Sequence, residues 1–286
     1  MTAPPASATG PADPVRLVTG PAGLVPETAH GTQRLHAFYA DPGTVFSSGE
    51  ERARRQVRML AAALAARPGP QVVVDVGCGD GAATHQVRLL DPRNTVIGVD
   101  WSATALARAR ARGLAVVQGG TDGAGLPLAD SCADVIIMSE LIEHLVDTDA
   151  AADEARRVLR PDGILLLSTP NLAAWFNRGL ICLGLQPAFS EVSLRGVYGR
   201  PGSQVAGHLR LFTRRALVEF LAARGFTCER IAGAPYHDVP RPLRPLDRAL
   251  CHWPSLASIL LVQARVKPAA DLRQKGSSPC ASSPPS

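Results

Sequence analysis

The segment from Val72 to Gly81, with the sequence VVVDVGCGDG, constrains the fold of this chain more than any other. A run of valines suits a parallel strand that is buried on both faces. The glycines that follow at alternate positions let the backbone turn sharply and let a ligand approach the main chain closely. A helical segment begins at Ala82, so its unpaired N–H groups would face that ligand. The segment therefore predicts a strand, a turn and a helix that together bind a nucleotide-like ligand.

Two interpretations of this turn compete. Gly77, Gly79 and Ala82, with an acid at Asp100 near the end of the next strand, fit the dinucleotide fingerprint of NAD-dependent dehydrogenases. When Asp75 is included, the pattern becomes Asp-x-Gly-x-Gly-x-Gly, which resembles the first motif of the class I S-adenosylmethionine-dependent methyltransferases. The rest of the chain decides between the two families.

Four later segments resemble further motifs of the methyltransferase family, and they follow the same order along the chain. They are a second strand that ends at Asp100, a loop at residues 121–128, a fourth strand at residues 132–140, and a helix, turn and fifth strand at residues 155–171. This order favours the methyltransferases over the dehydrogenases. The resemblance implies that S-adenosyl-L-methionine is the cofactor and that its contacts come from Asp75, Gly77, Cys78, Gly79, Asp100, Trp101, Asp122, Gly123 and Ser139.

The chemistry of these residue types suits an adenosine. The Asp100 carboxylate can accept hydrogen bonds from both ribose hydroxyls, and such charge-assisted bonds are strong. Trp101 offers a flat apolar face to the adenine. By resemblance to the family, Asp122 would meet the adenine amino group.

The resemblance and the alternation of strand and helix signals imply an α/β fold. We expect a Rossmann-like, seven-stranded, mostly parallel sheet with an antiparallel last strand and a cap insertion after strand 5. Residues 29–266 would form the methyltransferase domain. The N-terminal tail (1–28) and the C-terminal tail (267–286) lack periodic apolar patterns, so both are expected to be flexible. The cap, residues 171–210, is rich in aromatic residues and is expected to cover the substrate. A packing role for those aromatic residues is the alternative.

A second polar motif, Glu140-Leu141-Ile142-Glu143-His144, follows the fourth strand, where the transferred methyl group would point. In a helical turn Glu140, Glu143 and His144 share one face. Two carboxylates and an imidazole are costly to bury there unless a positive group joins them. A divalent cation would meet that need and would also lower the pKa of a hydroxyl substrate. Oxygen-rich ligation with one or two histidines suits magnesium or manganese.

This Glu-x-x-Glu-His pattern is similar to that of ubiquinone-pathway O-methyltransferases and of small-RNA 2′-O-methyltransferases, which use a divalent metal. In the latter a further histidine completes the ligand set, and His208 lies in the corresponding place. The resemblance implies a metal site made of Glu140, Glu143, His144 and His208. Both histidines are also the predicted catalytic residues, either as bases or through a metal. In the alternative interpretation, His144 packs near the cofactor and His208 caps a helix.

Composition restricts the partners and the location. Arginines spread along helices carry most of the positive charge behind the net charge of +5, and no dense basic block is present, so nucleic acid is not expected as a partner. No apolar run reaches the roughly 20 residues that a membrane span needs. No secretory signal is visible, and the six cysteines are scattered without a CxxC pair. These features favour a cytoplasmic protein with free thiols.

The predicted function is O-methylation of a small-molecule hydroxyl, on a secondary metabolite or a quinone-like compound, because the cap is aromatic. Two alternatives stay open. One is an RNA 2′-hydroxyl as the acceptor, and the other is a cofactor-binding module without catalysis. The sequence does not indicate an oligomeric state.

Overall fold

A computed structural model describes residues 50–121, 125–202 and 205–268 of the chain. The predicted N-terminal tail, residues 29–49 and nearly all of the predicted C-terminal tail lie outside the described residues. Asp122 and Gly123 also lie outside them. The domain limits of 29 and 266 therefore stay a prediction.

Seven strands form one sheet in the order β3-β2-β1-β4-β5-β7-β6. Strands β1 to β5 pair in parallel, and β7 is antiparallel to both β5 and β6. The predicted α/β fold, with a mostly parallel sheet and an antiparallel last strand, is confirmed. The strands are β1 Val72–Val76, β2 Thr95–Asp100, β3 Ala115–Gln118, β4 Ala133–Ser139, β5 Leu159–Pro170, β6 Phe226–Ala234 and β7 Ile259–Val266.

Helices connect these strands and cover both faces of the sheet. Several begin with a side-chain cap that satisfies an unpaired backbone N–H, as Ser102, Asp147 and Thr213 do. Among the described residues no helix combines the length and the apolar character that a bilayer crossing requires. The helices are α1 Glu50–Ala65, α2 Ala82–Arg88, α3 Ala103–Ala111, α4 Thr148–Val158, α5 Trp175–Cys182, α6 Arg214–Ala223 and α7 Arg244–Leu250, with 3₁₀ turns at Ile142–His144 and Arg241–Leu243.

Alternate residues of the central strands point to two separate hydrophobic cores. On one face, Val74 of β1 is in the same cluster as Val158 of α4 and Leu217 of α6. On the other face, Val73 is in the same cluster as Leu60 of α1. Burial on both faces explains why β1 reads as an uninterrupted apolar run rather than an alternating one.

The turn after β1 is packed against β2 through a glycine. A Cβ atom at Gly98 would lie 2.7 Å from Cys78 Sγ and 3.3 Å from Val116 Cγ1. We predict that Gly98→Ala lowers the free energy of unfolding by about 1–3 kcal/mol, because the added methyl group overpacks this contact.

The matched control is Gly179→Ala in α5, where an added Cβ would have no heavy atom within 4 Å. It should raise the free energy of unfolding by about 0.5–1 kcal/mol, because alanine restricts the unfolded chain and favours the helix. Urea denaturation of both variants measures the effect. A neutral Gly98→Ala would contradict the packing of the turn on β2.

Candidate functional site

The turn between β1 and α2 is held against β2 by its backbone. The N–H groups of Gly77 and Cys78 both donate to the carbonyl of Val99, at 2.8 and 3.1 Å. Gly77 and Gly81 adopt left-handed φ angles of 77° and 76°. A Cβ at Gly81 would clash with a Leu114 methyl group at 2.5 Å, and one at Gly77 would crowd a Leu141 methyl group at 3.0 Å. The glycines are therefore needed for both conformation and space.

Two buried acids flank this turn. Asp100 accepts from the N–H of Gly79 and from that of Ser102, each at 2.8 Å, so it shapes the turn before any ligand binds. Asp75 accepts from the Thr84 hydroxyl at 2.6 Å. Burial raises the pKa of Asp75 to about 6 and also raises the pKa of Asp100. A group that supplies hydrogen-bond donors to Asp100 would offset part of this desolvation cost.

The other proposed cofactor contacts differ in how they face this edge of the sheet. Cys78 packs its buried thiol toward β2, and burial raises the pKa of that thiol to about 12. Trp101 is half-buried directly after Asp100, and its carbonyl accepts from Gln118. Ser139 is half-buried at the end of β4. These positions are at the carboxyl ends of β1, β2 and β4, where ligands of open α/β sheets bind.

The structure brings three of the four predicted metal ligands together. Glu143, His144 and His208 each offer one ligand atom, and these atoms lie within 4.8 Å of one another. The ring centroids of the two histidines are 4.8 Å apart. Backbone hydrogen bonds bring these side chains together, because the N–H groups of Leu209 and Arg210 both donate to the Glu143 carbonyl, at 2.7 and 3.0 Å.

Glu140 is not part of this group of ligand atoms. Its φ of 49° is left-handed, and the 3₁₀ turn starts only at Ile142, so the single helical face expected for Glu140, Glu143 and His144 does not form. The N–H of Glu140 instead donates to the carbonyl and the hydroxyl of Ser168, at 3.0 and 3.1 Å. Three of the four side chains predicted as metal ligands thus lie together, and Glu140 lies outside their group.

Burial disfavours the ionised form of both glutamates in this region. Burial raises the pKa of Glu143 well above its usual range, and the nearby Glu140 raises it further. Burial also raises the pKa of Glu140. The Glu143 Oε2 atom accepts from the Thr169 hydroxyl at 3.0 Å, but its Oε1 atom has no hydrogen-bond partner among the described residues. A buried oxygen of this kind is costly unless a donor or a cation reaches it.

Backbone carbonyls determine which nitrogen of each histidine carries the proton. The Nδ1 atom of His144 lies 3.2 Å from the Gly207 carbonyl, and that of His208 lies 3.0 Å from the Phe189 carbonyl. Because a carbonyl only accepts, each Nδ1 is the protonated nitrogen and each Nε2 keeps a lone pair. Burial lowers the pKa of His144 to about 3 and that of His208 to about 4. Both rings are therefore neutral at pH 7, as metal ligands or bases must be.

Arg52 is a site residue that the sequence analysis missed. It is buried in α1, and its guanidinium donates to Gln56 at 3.1 Å and to the Ser168 hydroxyl at 3.3 Å. Its charge lowers the pKa values of Glu140 and Glu143 and so opposes their desolvation. A signal was present, because Arg52 and Gln56 precede Leu60 at intervals of four and thus occupy the apolar stripe of the helix.

Aromatic side chains line the cap beside the histidines. The Phe189 ring makes edge-to-face contacts with Phe176, Tyr236 and His208, at centroid distances of 5.8, 4.8 and 5.9 Å. Tyr236 comes from the segment after β6, so two separate parts of the chain build this wall. Phe189 is buried and belongs to the same hydrophobic core as Leu60, with Phe176 and Tyr236 packed against that core.

Comparisons with known proteins agree with this architecture. Residues 74–167 match a family model described as a methyltransferase domain. A probable S-adenosylmethionine-dependent methyltransferase of Mycolicibacterium smegmatis is 39% identical over 108 residues, which are 38% of this chain and 41% of the relative. A demethylmenaquinone methyltransferase of Mycolicibacterium paratuberculosis is 36% identical over 133 residues, or 46% of this chain and 55% of the relative. The chain thus spans about half, or less, of the length of these relatives.

A solved structure extends the comparison over most of the chain. It is the Burkholderia thailandensis 1,6-didemethyltoxoflavin-N1-methyltransferase with bound 1,6-didemethyltoxoflavin and S-adenosylhomocysteine. The TM-score is 0.54 at 21% identity, and the match covers 86% of this chain and 93% of that one. At this identity it shows a shared fold. Together the comparisons confirm the family resemblance inferred from the sequence motifs.

The two buried histidines should make stability depend on pH. Their folded pKa values of about 3 and 4 lie below the ordinary 6.5, so the unfolded chain binds protons that the folded chain does not. Their contribution is fully present above pH 6.5 and declines as the pH falls, by up to about 1.4 kcal/mol per pH unit for each histidine.

Urea denaturation between about pH 7.5 and pH 5 tests this dependence. The buried carboxylates change the pH dependence of stability in the opposite direction. The informative quantity is therefore the difference in the free energy of unfolding between the wild type and H144Q/H208Q. This difference should shrink as the pH falls. His252→Gln removes an exposed imidazole and serves as the control. A difference that stays constant with pH would contradict the burial of neutral histidines.

Proposed function

We propose that this chain, which carries a class I S-adenosylmethionine-dependent methyltransferase domain, transfers the methyl group of that cofactor to a hydroxyl group of a small molecule. The supporting observation is that the 3₁₀ turn with Glu143 and His144 begins after Leu141, which contacts the glycine turn. Leu141, two residues before Glu143, packs against Gly77, where a Cβ atom would lie only 3.0 Å from a Leu141 methyl group. A methyl group bound at the turn would therefore be next to two neutral imidazoles.

We assign the cofactor along the carboxyl ends of the first strands. Gly77 and Gly79 would approach its methionine part, Asp100 would accept the ribose hydroxyls, and Trp101 would lie along the adenine. Asp75 would support the turn from below through Thr84. Asp122 remains the predicted contact of the adenine amino group, and Gly123 remains a predicted cofactor contact. The acceptor then enters from the side of the cap.

The reaction proposed is a direct displacement in which an acceptor oxygen attacks the methyl carbon, the carbon–sulfur bond breaks and S-adenosylhomocysteine is the leaving group. Most of the rate enhancement in such a step comes from alignment of the nucleophile, the methyl group and the sulfur. The Nε2 lone pair of His144 or His208 would take the hydroxyl proton as the oxygen–carbon bond forms. The aromatic wall around Phe189 would keep water away from this proton transfer.

The same residues also fit a divalent cation as a second cofactor. Glu143 supplies an oxygen without a donor, Nε2 of His144 lies 3.9 Å from that oxygen, and a ring nitrogen of His208 completes a group of ligand atoms within 4.8 Å of one another. Two imidazoles and one carboxylate favour manganese over magnesium, which prefers oxygen ligands. When bound there, a cation would lower the pKa of the acceptor hydroxyl. Glu140 would not be a ligand of the cation and would affect it only through its charge.

The acceptor class is proposed from the shape and polarity of the cap. Edge-to-face aromatic rings beside uncharged histidines suit a quinone-like or other aromatic compound. The match to a protein called a demethylmenaquinone methyltransferase points the same way. We propose that the acceptor is a secondary metabolite and that the protein acts in the cytoplasm.

The cofactor assignment predicts that the protein binds S-adenosylhomocysteine and not NAD. Asp100→Ala should weaken this binding by about 2 kcal/mol, or about thirtyfold, because it removes charge-assisted acceptors from the ribose and from the turn. Asp100→Asn should lose less, since one acceptor oxygen remains. Titration calorimetry measures all three affinities.

The control for this series is Asp91→Ala, which removes an aspartate on the connection before β2 whose partner is Arg93. It should leave the affinity unchanged. NAD binding by the wild type, or an Asp100→Ala protein that binds S-adenosylhomocysteine as tightly as the wild type, would overturn the assignment.

The metal assignment predicts loss of turnover after chelation. We would assay methyl transfer to pooled aromatic and quinone-like hydroxyl compounds, and to a short RNA with a free 2′-hydroxyl. A chelator should abolish transfer, and manganese should restore more activity than magnesium. His208→Ala should lose transfer while its affinity for S-adenosylhomocysteine stays unchanged, because it lies on the acceptor side.

The other outcomes separate the alternatives. Transfer that survives chelation but fails in His144→Ala would remove the metal and leave the histidine as a base. Transfer to the RNA alone would replace the small-molecule acceptor. Cofactor binding without transfer to any acceptor would favour a cofactor-binding module.

A further inference from the structure

We infer that Glu191, in the cap, is a positioning residue that sets the orientation and the tautomer of both histidines. Its carboxylate accepts from three successive backbone N–H groups, those of Ala206, Gly207 and His208, at 2.8, 2.7 and 2.8 Å. Bonds from N–H groups to an ionised carboxylate are about twice as strong as neutral ones. One side chain therefore holds the whole backbone segment that carries His208.

The conformation of Gly207 makes this triple contact possible. Its φ of 82° is left-handed, and successive N–H groups around such a residue converge on one point and form an anion-binding concavity. Glu191 fills that concavity with a charge from the protein itself. The carbonyl of Gly207 points the other way, toward Nδ1 of His144 at 3.2 Å. By holding Gly207, Glu191 therefore also fixes the carbonyl that orients the His144 ring.

The second histidine is held from the other end of the same short segment. Phe189, two residues before Glu191, has a left-handed φ of 71°, which is rare for a bulky side chain. In this conformation its carbonyl lies 3.0 Å from Nδ1 of His208. Residues 189–191 thus supply the acceptor for one ring and, through Gly207, fix the acceptor for the other.

Burial and an ion pair keep the Glu191 side chain in this position. Its side chain is 2% exposed, and it is paired with Arg200, which is 10% exposed, at 3.5 Å. The loop before Phe189 is tied to α5, because the buried Asn177 accepts from the Ala188 N–H at 2.7 Å and donates to the Ala188 carbonyl at 3.2 Å. The cap therefore contributes to the chemistry by holding the two imidazoles, besides covering the acceptor.

Nitrogen NMR of the full chain labelled with ¹⁵N-histidine tests this inference directly. The two ring nitrogens of a neutral imidazole have widely separated shifts, so each tautomer is visible. The chain has seven histidines, and His144→Gln and His208→Gln assign the two resonances. In the wild type both rings should carry the proton on Nδ1. In Glu191→Ala both should shift toward the Nε2–H tautomer, which unrestrained histidine prefers.

Two further variants keep the test decisive. Glu191→Gln preserves the volume and one acceptor oxygen, so it should show a smaller shift of the same sign, and it carries the test if Glu191→Ala does not fold. Asp134→Asn is the matched control, since Asp134 is also a buried acid that accepts from a backbone N–H and pairs with arginines, but at the opposite end of β4. It should lose stability without changing either tautomer.

Only the part of the histidines in methyl transfer rests on the proposed function. The spectra themselves require neither turnover nor cofactor. Unchanged spectra in both Glu191 variants, or equal changes in Asp134→Asn, would overturn it even if the protein methylates an acceptor. A wild type with protonated Nε2 would overturn it as well. If methyl transfer is never found, the spectra still decide the role of Glu191. Where an acceptor is known, Glu191→Gln should lower kcat and leave the KM for S-adenosylmethionine unchanged.

Discussion

Burial of the parallel strands on both faces is the constraint on which the rest of this structure depends. Val73 and Val74 face different cores, and neither core accepts a charge without a partner. Polar residues are therefore confined to the strand ends, where Asp75, Asp100 and Ser139 lie at one edge of the sheet. The glycine turn, the two acids and the polar group after β4 are neighbours because this edge is the place where the fold tolerates them.

Among the described residues, this edge buries the carboxyl groups of Asp75, Asp100 and Glu143 near one buried guanidinium, that of Arg52. Arg52 opposes the desolvation of Glu140 and Glu143, yet the pKa values of both carboxyls remain raised. The proposed cofactor carries a positive sulfonium, and a metal would add further positive charge close to Glu143. The electrostatics thus favour a cationic occupant, whichever of these groups supplies the charge. Neutral histidines beside such an occupant suit proton removal from an acceptor.

The cap, residues 171–210, contacts both histidines. Through Glu191, Gly207 and Phe189 it determines how the two imidazoles point, while its aromatic rings border the same space. Rigid support of this kind is what precise alignment in a displacement reaction requires. The arrangement also explains how His208, distant in sequence from Glu143, is held beside it.

The sequence by itself determined the order of strands and helices, the glycine turn and its two acids, because periodicity and local residue chemistry report on neighbours along the chain. Resemblance to a known motif, rather than spacing, indicated His208. Only the tertiary structure placed Arg52 near the buried glutamates and Glu191 near the histidines, and separated Glu140 from the group of Glu143, His144 and His208. The reason is physical: the roles of Arg52 and Glu191 depend on contacts between distant segments, and the left-handed turn at Glu140 breaks the helical face on which its predicted role rested.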